Sequence, residues 1–277
     1  MPETVDWVTF TKESPEFPKL YHKLFRAILQ LVLDTTPAAE DVAGAVICEL
    51  MMASTPDFDD ILLLCSQDRH WGALKLLRIL FERTVTLKYL VQNPAEAEAF
   101  LAFDALDWNA VLSGIEKWHG IQANQETQQR IQEAANRARE RFKQAPCKEC
   151  GMRKQISWTP RSSLELAQKT GLDHLHFEGF ILPTKFIHPT YFGTHQVSGD
   201  KVAPLPNTLK ATHVLTLETA LAHQRYFKGD PLASPLVAEA VREFFSVWKY
   251  ADTDFGLGEH AVRMGLRFVS PDQSNGP

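Results

Sequence analysis

Apolar residues recur along this chain at helical spacing, and one stretch carries them most densely. Between His70 and Gln92, Leu74, Leu77, Phe81, Val85 and Leu87 fall on or near one face, and Ile79, Leu80, Leu90 and Val91 widen it until little polar surface is left. The pattern predicts a helix covered on most sides by others, the organising element of the fold. A narrow polar line crosses it: Lys75, Arg78, Glu82 and Thr86, at spacings of three and four, between Trp71 and Tyr89. Charges on so apolar a helix need partners, which makes this line the first candidate site.

The same periodicity orders the rest of the chain. Leu20, Leu24, Ile28 and Leu31 predict an amphipathic helix over about 18–33. Thr36, Pro37 and Glu40 read as the cap and first turn of a second helix reaching Ala53. Ser54-Thr55-Pro56-Asp57 reads as the start of a third, through Cys65. Its acidic cluster, Asp57, Asp59 and Asp60, suits a helix start, and no further ligand stands at a metal-binding spacing. Beyond Asn93-Pro94 a helix over 94–118 turns Phe100, Phe103, Leu106 and Val111 inward. Residues 122–143 hold few apolar side chains and predict a solvated helix or arm, followed by a loop to about 160. A short helix closes at Gly171, another ends at His188-Pro189, and two more follow at about 207–227 and 235–251. No strand or hairpin signal appears. The expectation is an all-α multi-helix bundle of about eight to ten helices. Residues 1–16 form an arm, 17–269 one helical domain with a polar insertion at 120–160, and 270–277 a disordered tail.

Composition narrows the function classes. The chain has 277 residues, 44% hydrophobic and 23% charged, with a net charge of -5. That is an ordinary globule with no global basic footprint, so any nucleic-acid surface must be local. No apolar run approaches the roughly 18–20 residues of a membrane span, and Pro2 to Trp7 lacks the features of a signal peptide. Four cysteines do not make a disulfide scaffold in a chain this long. The expected compartment is reducing and cytoplasmic.

Four groups carry candidate chemistry. Arg78 and Glu82 stand at i,i+4 in the less favourable order for an ion pair. They either bond groups on another helix or line a cleft. His188, at the end of an apolar helix, is held by terminal carbonyls or acts as acid/base opposite that pair, with Arg78 steadying phosphate-like charge. Cys147 and Cys150 have the spacing of half a zinc site. His174 and His176, or the same pair from a second subunit, would complete it; otherwise the thiols are a reduced pair in a loop. Arg137, Arg139, Arg141 and Lys143, with further basic residues around them, either grip phosphate backbone or form a solvated helix face.

These residues resemble a bacterial all-helical family of unknown function. Its central helix carries Arg-x-x-x-Glu, here Leu77-Arg78-Ile79-Leu80-Phe81-Glu82, followed by Tyr89-Leu90. Trp158, Leu166-Ala167 and Phe186-Ile187-His188-Pro189 match later positions, over about residues 55–195. Lys185 stands where that family has a small hydroxyl residue. The resemblance implies that Arg78, Glu82 and His188 share one constellation and implies no activity. Two function classes follow. One is a non-catalytic interaction or oligomerisation module, with a buried polar network and a homo-oligomeric or protein partner. The other is a nucleic-acid-directed hydrolase or binder of a defence or stress pathway, using Arg78, Glu82 and His188.

Overall fold

A computed structural model describes residues 7–142, 157–187 and 205–248. Every element in it is helical: α1 (Trp7–Glu13), α2 (Phe17–Asp34), α3 (Val42–Ser66), α4 (His70–Gln92), α5 (Ala97–His119), α6 (Gln125–Arg141), α7 (Ser163–Thr170), α8 (Leu182–Ile187), α9 (Leu205–Lys228) and α10 (Pro235–Val247). A π-helical turn, Phe177–Ile181, leads into α8. The all-α expectation therefore holds. The chain separates into two compact units, Met1–Gln92 with Ser163–Pro277, and Asn93–Ser162. The second unit starts well ahead of the composition shift near residue 120 and takes in all of α5.

In the first unit α4 packs on α3 and α9, with α7, the π turn and α8 also against it, while α2 lies against α10. The helix covered on every side is α9, not α4: each residue from Ala211 to Gln224 is buried. The α4 helix keeps a solvent edge, with Lys75, Ile79 and Glu82 exposed. Threonines explain why α9 reads as polar in the sequence. Thr212 donates to the Thr208 carbonyl (2.7 Å), Thr216 to Thr212 (2.8 Å) and Thr219 to Leu215 (2.9 Å). With its hydroxyl bonded one turn back, each threonine buries as a small, satisfied side chain.

Two expected boundaries shift for local reasons. Helix α3 begins at Asp41 rather than Thr36, because Asp41 Oδ1 accepts the Gly44 amide at 2.8 Å. It also runs straight through Pro56, where two helices were expected. Proline removes a helical donor and crowds the carbonyl one turn back. Here Ser54 donates to Leu50 O (2.7 Å), Thr55 to Met51 O (3.1 Å), and Arg83 of α4 to Ala53 O (2.6 Å). Arg83 also pairs with Asp57, one residue past the proline. Within the expected arm, α1 buries Phe10, whose ring meets Phe17 edge-on at 5.1 Å and stacks on Trp248 at 6.1 Å.

The second unit is an antiparallel helical hairpin. Gly120, at φ +65°, ends α5 in the left-handed conformation that glycine adopts without strain. Asn124 caps α6 by accepting the Thr127 amide at 2.8 Å. Phe103, near the start of α5, meets Phe142, past the end of α6, at 5.5 Å. The returning chain closes the base through Trp158 against Phe100 (5.4 Å) and Arg161 to Glu96 (3.4 Å).

Candidate functional site

Arg78 and Glu82 do meet, on the solvent edge of α4. Arg78 donates twice to one oxygen of Glu82, from Nε at 3.3 Å and Nη2 at 3.2 Å. The two side chains remain 21% and 46% exposed, so neither charge is stranded in the core. The other flank of Arg78 is occupied too: its guanidinium sits 4.6 Å from the Phe180 ring centre. Phe180 in turn stacks on His176 at 5.2 Å, with planes 20° apart. His176 Nε2 lies 3.2 Å from Ser163 Oγ, and burial lowers its pKa, favouring the neutral ring.

Phe180 lies within the π turn and His176 immediately precedes it, and Gly179 of the turn is pressed so close to Phe81 that a Cβ there would lie 2.6 Å from the ring. The histidine reached from Arg78 is thus His176, through Phe180. His188 lies outside the described residues. Phe186, two positions earlier, packs on Trp71 at 4.2 Å, two turns along α4 from Arg78.

Sequence reasoning missed the buried polar network, which lies on the α9 side of α4. Lys88 Nζ meets Glu218 Oε2 at 2.5 Å, with the side chains only 16% and 7% exposed. One turn back, the Thr84 hydroxyl lies 3.0 Å from that of Thr219. The ion pair floors a cleft of about 220 Å3 rimmed by Gln92, Thr170 and Arg225. Lys88 carried the one available signal, as a lysine on a largely buried helix. Its partner is 130 residues away, on a helix whose polarity looked like exposure.

Three histidines are buried with one ring nitrogen unpartnered among the described residues: His70, His213 and His223. His223 Nε2 approaches Cys48 Sγ at 4.0 Å, but burial, Asp41 and Glu49 raise the Cys48 pKa. A thiol held protonated is not an activated nucleophile.

On the hairpin, α5 and α6 enclose a groove of about 600 Å3, floored by Leu101, Trp108, Ile131 and Ala134. Arg137 lines it, Arg139 bonds Asn136 at 2.8 Å, and Arg141 lies 5.6 Å from the Phe142 ring. Val111, expected inward, is 48% exposed. Lys143, Cys147 and Cys150 lie outside the described residues. Among the described residues no group of three His, Cys, Asp or Glu side chains could hold a metal ion, and no helix is long and apolar enough to cross a membrane.

The family described as "Family of unknown function (DUF5677)" matches residues 44–201, more than half of the chain, and the chain belongs to it. The match spans α3 to α8 and so includes Arg78, Glu82 and the hairpin, but not α9. No curated protein and no solved structure matches the chain.

Proposed function

We propose that this member of the DUF5677 family is a non-catalytic interaction module that self-associates through the α5–α6 hairpin. One observation carries the reading. Of the 23 residues of α5, only Ala97 is buried, while Leu101, Trp108, Val111 and Trp118 stand 40%, 53%, 48% and 75% exposed. A cluster of large apolar side chains on one helix marks an interaction surface rather than a solvated face.

The charges around the groove favour a second copy as the occupant. Asp104 on α5 faces a rim in which α6 supplies Arg130 and Arg137, with Glu133 between them. Along the two helices α5 carries Glu98, Asp104, Asp107 and Glu116 against Lys117, and α6 carries Arg130, Arg137, Arg139 and Arg141 against Glu126, Glu133 and Glu140, so α5 is net acidic and α6 slightly basic. A twofold axis would set α5 of one copy on α6 of the other, matching acid to base in a self-complementary contact. Two helices about 25–35 Å long present a footprint of about 700 Å2, close to the roughly 800 Å2 per partner of a standard interface.

The hydrolase reading draws less support. A catalytic arginine must be free to meet phosphate charge, and Arg78 is already held by Glu82 and Phe180. Light scattering on the full chain and on Trp108→Glu/Ile131→Glu tests self-association. The parent should run at twice the 31.3 kDa chain mass and the variant at the chain mass, with equal helical circular dichroism. A monomeric parent at high micromolar concentration refutes the proposal.

A further inference from the structure

We infer that α1, α2 and α3 form a binding site for a small organic cation with an apolar body. A pocket of about 290 Å3 opens between them, lined by Trp7, Phe17 and Tyr21 on one side and Leu62 and Leu63 on the other. The aromatic rings are set at angles. Phe17 meets Trp7 edge-on, at 5.6 Å and 87°, and so forms a corner rather than a flat stack. Phe17 is 2% exposed and backs this corner, so the ring surface open to a ligand belongs to Trp7 and Tyr21, where a cation can lie against an aromatic wall.

The charged group in the pocket's lining is a carboxylate, beside the hydroxyls of Tyr21 and Ser66. Asp59, on its wall, accepts the Tyr21 hydroxyl at 2.5 Å. No basic side chain lies within ion-pair distance of Asp59 among the described residues, whereas its neighbour in sequence Asp57 is paired with Arg83. The two lysines that flank Tyr21 on α2 are engaged elsewhere, Lys19 with Glu16 at 3.5 Å and Glu243 at 3.4 Å, and Lys23 with Glu239 at 2.9 Å and Glu243 at 2.7 Å. An open cleft with an apolar, aromatic wall and one carboxylate at its edge favours an ammonium group attached to hydrocarbon. A neutral ligand would leave Asp59 without a counter-charge, and an anion would be repelled. The site is distinct from the hairpin and from Arg78.

Isothermal titration of the full chain with hexylamine, hexanol and hexanoate separates charge from apolar fill. Hexylamine should bind saturably and about tenfold tighter than hexanol, and hexanoate more weakly than either. Asp59→Asn keeps an oxygen to accept from Tyr21 at an exposed position, so the fold is retained, and it should bring hexylamine down to the affinity of hexanol. Trp7→Ala should weaken both. Equal affinities for hexylamine and hexanol, a preference that survives Asp59→Asn, or no saturable binding of hexylamine would each overturn the inference.

Discussion

His213 is predicted to tie the stability of the fold to pH. It sits on α9 with no exposed surface, between Phe17 (5.0 Å) and Phe58 (5.8 Å). Among the described residues its one hydrogen bond is accepted by Nδ1 from the Trp248 indole at 3.1 Å, which fixes the proton on Nε2. Adding a second proton would place a charge among aromatic rings. Burial accordingly lowers the pKa from 6.5 to about 3. His223 follows, brought down to about 4 by burial, with a smaller contribution from Lys228.

The direction follows from proton binding. Below pH 6.5 the unfolded chain binds a proton at each of these histidines and the folded chain does not. The stabilisation is therefore complete above pH 6.5 and is lost as pH falls toward the folded pKa values. Each histidine contributes a slope of about 1.4 kcal/mol per pH unit in that window, or about 2.5 kcal/mol between pH 7 and pH 4.5. The two together amount to about 5 kcal/mol, comparable with the entire stability of many domains. Urea denaturation at half-unit steps from pH 7 to 4.5 measures the slope in the parent and in His213→Gln, whose amide oxygen can still accept from Trp248. The variant should be less stable at pH 7 through poorer packing, yet its slope below pH 6 should be shallower by about 1.4 kcal/mol per unit. Equal slopes in the two proteins would refute the assignment of a buried neutral His213.

Two further perturbations separate structural from surface charge. Lys88→Met leaves Glu218 buried without its partner and should cost about 3 kcal/mol in urea denaturation, largely restored by adding Glu218→Leu, whereas Glu82→Gln should cost less than about 1 kcal/mol. The reverse ranking would return the buried network to the Arg78 side of α4. Gly179→Ala forces a Cβ against Phe81 and should cost about 2 kcal/mol in thermal or urea unfolding. An unchanged midpoint would mean that the π turn yields without strain.

How much of this was legible in the sequence depends on whether a signal is local. The Leu20, Leu24, Ile28, Leu31 stripe gives α2 to within a residue or so at each end, and the density of apolar residues gives α4. Arg78 and Glu82, four residues apart, were found together because one helix suffices to join them. Helix α9 was recognised as a helix but not as the core. Its threonines hide their hydroxyls in their own backbone, a satisfaction that composition counts as polarity. Pro56 looked like a boundary because the groups that tolerate it include Arg83, which arrives from the next helix. Lys88 points to a buried anion, but nothing within a helical turn or two of it says that the anion is Glu218. The Asp59 pocket hides for the same reason, with its aromatic wall and its carboxylate separated by the whole of the α2–α3 connection. In an all-helical chain, ridges repeat so regularly that any two helices could pack. Partner choice is written in isolated polar residues whose counterparts are far away in sequence, and those residues are where site and core are both decided.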